Sequence, residues 1–131
     1  MEKIAYSVTV QVASGPSIPI SGVLNVDAYE KISVTVPAKQ QGVDGEIEVA
    51  VSPGDLAHTK LLLITASSDD GSLQFKSSAA NAPDVPIRGP LTLIGETACS
   101  LLGTSPDKLT FTNSAPTEAK VNILVGREAV G

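Results

Sequence analysis

Strict alternation of apolar and polar residues constrains this chain more than any other feature of its sequence. Ile4, Tyr6, Val8, Val10 and Val12 alternate with Ala5, Ser7, Thr9 and Gln11. A period of two sends successive side chains to opposite faces, which is the geometry of a half-buried strand and not of a helix. Ser14-Gly15-Pro16-Ser17 then breaks the pattern, as a turn does. It resumes at Ile18, Ile20, Gly22, Leu24 and Val26. Within that run Pro19 has no N–H to give to a ladder, so it implies an edge position or an irregular start.

The same rhythm continues down the chain. Ile32, Val34 and Val36 mark a third strand, stopped by Pro37. A polar loop over 38–45, with Gln40-Gln41-Gly42 and Asp44-Gly45 as turn chemistry, leads to Ile47, Val49 and Val51. Ser52-Pro53-Gly54-Asp55 ends that strand. Residues 61–66 form a continuous apolar run, which reads as a central strand covered on both faces. Ser68-Asp69-Asp70-Gly71 is a hairpin-type turn before Leu73-Gln74-Phe75. Residues 77–90, rich in Ala, Asn, Asp, Pro and Gly, form the longest expected loop. Residues 91–94, 109–112 and 121–125 are three further strands, and 96–102 is either one helical turn or a short strand. No segment sustains a 3.6-residue period. The expectation is one all-β domain over 1–131, an antiparallel β-sandwich of eight to nine short strands, jelly-roll-like, with a small barrel as the other closure. The two Cys flanking a Trp that mark an immunoglobulin domain are absent.

Composition removes most chemistry. The chain has 131 residues, one Cys, one His and no Trp, and its aromatic content is 3%. A lone Cys99 makes no intramolecular disulfide and no zinc site by itself, and reads first as a small buried apolar residue. Nine Lys and Arg against fourteen Asp and Glu give a net charge of -5, and the cations are scattered, which argues against a nucleic-acid surface. The longest apolar stretch, Leu61-Leu62-Leu63-Ile64, is far too short for a helical membrane span. Met1-Glu2-Lys3 leads straight into the alternation without an apolar leader, so the expectation is a soluble protein made in a cytoplasm.

Candidate sites are few. His58, in Asp55-Leu56-Ala57-His58-Thr59, reads as a loop residue, and no Gly-x-Ser-x-Gly elbow offers it a nucleophile. Glu46 and Glu48 share one strand face, and a glycosidase pair is conceivable there but needs a cleft and sugar-stacking aromatics, which are scarce; Tyr29 is the one aromatic off the apolar positions. Asp69-Asp70-Gly71 and Asp44-Gly45 offer oxygens for a calcium ion, and serve equally as ordinary turn chemistry. No catalytic, cofactor-binding or metal-ligating set is assembled from these residues. The polar faces consist mainly of neutral side chains: Ser7, Thr9, Gln11, Asn25, Ser33, Thr35, Gln74, Thr92, Thr110, Thr112 and Asn122. Such faces hydrogen-bond to another protein or to a sugar at less desolvation cost than charges, although Thr and Ser also simply suit strands.

A small acidic β-sandwich with neutral polar faces and no catalytic set resembles the decoration (cement) proteins and other small virion proteins of tailed bacteriophages, over the whole chain in size and strand pattern. The resemblance implies a non-enzymatic assembly protein without a cofactor, working in the virion after synthesis in a host cytoplasm, with the cytoplasm itself as the alternative location. Its implied partners are copies of itself, commonly as a homotrimer, and a capsid or other virion protein, with no nucleic acid and no membrane. Residues near both termini, including the tail 126–131, and the 77–90 loop are the interface candidates. The alternative is a carbohydrate-binding or adhesin-like module, in which Tyr29 and the Asp69-Asp70 turn would contact sugar.

Overall fold

The computed structural model describes residues 2–50, 58–78, 82–99 and 108–128. Ten strands and one short helix follow one another: β1 (Glu2–Gln11), β2 (Ser17–Val26), β3 (Ala28–Val36), β4 (Gly45–Ala50), β5 (His58–Ala66), β6 (Leu73–Ser77), β7 (Val85–Pro86), β8 (Leu91–Ile94), α1 (Glu96–Cys99), β9 (Lys108–Asn113) and β10 (Ala119–Glu128). All pairings are antiparallel. The all-β architecture expected from periodicity is the observed one. Nine strands lie where alternation places them. The tenth, β7, is a correction to the eight or nine expected: it lies inside the 77–90 segment read as loop, where Val85 and Pro86 pair with Phe75 and Gln74. Two residues are too short to show a period, and Pro86 is tolerated because β7 is a sheet edge.

Strands β3 to β10 make two four-stranded sheets, ordered β3-β10-β5-β8 and β4-β9-β6-β7. Within these sheets β3 neighbours β10, β4 neighbours β9, β5 neighbours β8 and β6 neighbours β7. That nesting is one long hairpin folded into two sheets, the jelly-roll topology. The sheets face each other across a core of Val36, Val49, Leu62, Ile64, Leu73, Phe75, Leu109, Phe111, Val121, Ile123 and Val125. Phe75 and Phe111 pack as a tilted pair with centroids 6.0 Å apart. Residues 61–66 do occupy a central strand: β5 lies between β10 and β8, and Leu61, Leu62 and Ile64 are buried.

Local corrections have local causes. His58 is the first residue of β5, opposite Glu128, and not a loop residue, because pairing with the long β10 extends the strand beyond its apolar run. Gly45 opens β4, paired with Asn113, rather than closing a turn, and the Pro37 carbonyl stands where a side chain would, so the position takes glycine. Of 96–102, Glu96–Cys99 is a helical turn, and the rest lies outside the described residues, as do Val51 and the Ser52–Asp55 stop. Gly126 and Arg127 are buried inside β10, paired to β3 and β5, so the described part of the 126–131 segment is sheet and not tail.

Candidate protein-interaction surface

The first two strands stand apart from the jelly roll. β1 and β2 form a two-stranded sheet of their own, ten residues on each side, in a register that sets Ile4 opposite Leu24, Tyr6 opposite Gly22, Val8 opposite Ile20 and Val10 opposite Ile18. Directly opposed residues share a face. One face of this arm is therefore apolar along its length, and the other carries Ser7, Ser21, Thr9 and Gln11. On the apolar face Tyr6 lies across Gly22, filling the place a side chain would take: a Cβ there would come within 2.6 Å of its hydroxyl.

Only the root of the arm is covered. Val26 is buried, and Ile4 and Val26 rest over Gly126 of β10; a Cβ on Gly126 would come within 2.9 Å of Ile4 Cδ1. The Asp27 amide donates to the Arg127 carbonyl (3.0 Å) and the Lys60 ammonium to the Asn25 carbonyl (3.3 Å), which ties the root to the sheet. Toward the tip cover is lost: Val10 is 60% and Ile18 61% exposed, and Ile20 and Val12 are exposed as well. No residue from Ile4 through Val26 is charged. An isolated two-stranded hairpin is marginal in water, and exposed strands are ordinarily protected by charge. This one has no third strand, and its charges are confined to Glu2 and Lys3 at the root.

Alternation reveals that a face is apolar but not what covers it, so reading β1 and β2 as half-buried strands missed this arm. The charge-free run over 4–26 was the available signal.

The residues singled out from sequence do not converge. Glu46 and Glu48 lie exposed on the outer face of β4, and Glu48 pairs with Lys108 at 3.6 Å. Asp44 faces Lys39 at 3.9 Å. Asp70 Oδ1 accepts from the Ser72 amide (2.9 Å), the Ser72 hydroxyl (2.6 Å) and the Ser68 hydroxyl (3.2 Å), which is turn closure. Those bonds, led by the Ser72 hydroxyl, hold its carboxyl below the usual range. Cys99 is buried, and burial pushes its thiol up to about 11. Among the described residues no three His, Cys, Asp or Glu come together, and no helix is long and apolar enough to cross a membrane. Tyr29 is exposed. Two open concavities of about 240 Å³ flank Ile87, Gly89 and Pro90; both are smaller than ordinary ligand pockets of roughly 300–1,000 Å³.

One buried charge sits at the arm's root. Arg127 is 8% exposed; its Nη1 lies 3.8 Å from Glu30 Oε2, too long for a hydrogen bond, and neither Nε nor Nη1 has a hydrogen-bond partner.

No protein-family model, curated protein or solved structure matches this chain.

Proposed function

We propose that this protein is a non-enzymatic structural subunit of a virion, of the decoration (cement) kind, which binds neighbouring protein subunits through its amino-terminal arm. The observation that carries this reading is the arm, uncharged from Ile4 through Val26, whose apolar face is covered at the root and bare at the tip. Contiguous apolar surface of that kind marks an interaction site, and left bare it is an aggregation liability. The jelly roll supports the reading at the level of fold, since viral capsid proteins use it, as lectins do. Between those two, the arm favours protein assembly. A glycan site would rest on Tyr29 as its aromatic and on a turn whose Asp70 is already engaged by Ser68 and Ser72.

Mass spectrometry of gradient-purified particles from cells that make the protein tests this directly. The chain is expected in the particles at a fixed ratio to the major shell protein. A Val10→Asp/Ile18→Asp variant should be lost from them while melting at the wild-type temperature. Particles that lack the wild-type chain would overturn the virion reading.

A further inference from the structure

We infer that the outer edge of β1 pairs antiparallel with β1 of a second copy, about a twofold axis at Ser7, joining two arms into one four-stranded sheet. The inference rests on the reading of the arm as an assembly surface and names the occupant of its edge.

The ladder identifies which edge is open. The Val12 amide donates to the Pro16 carbonyl (2.9 Å), continuing the register that sets Gln11 opposite Ser17. Hydrogen-bonded and non-hydrogen-bonded pairs alternate in an antiparallel ladder. Even-numbered residues of β1 therefore bond across the hairpin, and Lys3, Ala5, Ser7, Thr9 and Gln11 turn their N–H and C=O groups outward. By the same alternation β2 turns odd-numbered positions outward, and one of these is Pro19, which has no N–H. The Asn25 carbonyl on that edge is already taken by Lys60. The edge of β2 is thus interrupted, while that of β1 runs about 33 Å without proline.

Charge and register select a second copy. Two chains of net charge -5 repel, and contact is least costly through a segment without charge, such as 4–11. Opposed residues of an antiparallel pair share a face, so the axis must pass through a residue, not between two, to keep the apolar face continuous. Centred on Ser7, the pairing sets Tyr6 opposite Val8 and Ile4 opposite Val10 of the other copy, and leaves Glu2 outside the paired span. The bare tip of each arm then lies along the covered root of its mate. A cyclic trimer through arm edges would instead join β1 to β2 of the next copy, against the gap at Pro19. The apolar face of the joined sheet remains for a further neighbour.

The test uses the full-length chain. Light scattering after size exclusion should give a dimer for wild type, a monomer for Ser7→Lys, which opposes two like charges at the axis, and a dimer for Ser21→Lys on β2. Ser7 and its mate form a hydrogen-bonded pair with Cα atoms about 5.5 Å apart, within disulfide range. Ser7→Cys should therefore cross-link on oxidation and Ser21→Cys should not; the native Cys99 is buried. A monomeric wild type, a trimer, or a dimer that Ser7→Cys fails to cross-link would each overturn the pairing. A monomer that still enters particles would leave the assembly reading standing, whereas a cross-linked dimer missing from particles would remove that reading and keep the pairing.

Discussion

At the scale of single residues, the fully buried Asn113 closes the jelly roll at one corner. Its Nδ2 donates to the carbonyls of Thr117 (2.8 Å) and Pro37 (3.2 Å), and its Oδ1 accepts from the Ala115 amide (3.0 Å). One side chain thus holds the β9–β10 turn against the end of β3. Asn113→Ala leaves three backbone groups without partners and should cost about 2–3 kcal/mol, read from urea unfolding. A loss under about 0.5 kcal/mol would mean that water replaces the amide. Asp70 makes a pH-dependent contribution of definite sign. Its carboxyl is depressed in the folded chain by Ser72 and Ser68. The stabilisation is therefore present above the unfolded value of about 3.9, and is lost as pH falls through the lower folded value. Asp70→Asn keeps an acceptor oxygen and removes the charge. Its melting temperature should lie below wild type at pH 6 and converge with it in acid. A gap that persists unchanged at low pH would show that the charged carboxylate is not the source.

At the scale of elements, the root of the arm is where strand, bend and buried charge meet. Gly126 admits Ile4 and Val26, and Arg127 follows it into the sheet with two donors unbonded and Glu30 beyond hydrogen-bond reach. Burying a guanidinium on those terms costs more than a distant carboxylate returns. Arg127→Met, which keeps the packing of the aliphatic stem, should leave the melting temperature unchanged or raise it. A drop of several degrees would show that the guanidinium holds a partner in solution. The elements themselves were legible in the sequence because each has one covered face and hence a period of two. β7 was not, having two residues and a proline. The start of β5 was not either, because pairing with β10 and not its own apolar run sets its length. Of the candidate surface, the apolar stripe Ile4, Tyr6, Val8, Val10 was legible as a stripe, but nothing local distinguishes a stripe facing a core from one facing water.

At the scale of the whole molecule, the two readings of that stripe differ in what the jelly roll requires of the arm. The nested pairs β3–β10, β4–β9, β5–β8 and β6–β7 complete the fold without β1 or β2, and the main core cluster contains no residue of the arm. Among the described residues, the arm meets the body where Ile4 and Val26 rest over Gly126 and where the Asn25 carbonyl accepts from Lys60. A chain begun at Asp27 should accordingly fold cooperatively, with a far-ultraviolet β spectrum that loses only the share of the two arm strands. It loses the buried side chain of Val26 and part of that of Ile4, a cost of about 2–4 kcal/mol at the usual value per buried aliphatic side chain. It should also be monomeric, and more soluble than the full chain, because the charge-free segment is gone. If the shortened chain instead unfolds, the arm belongs to the fold and its apolar face serves the body. If it folds and yet still self-associates, the contact between copies lies on the jelly roll, and the arm is left free for a different partner.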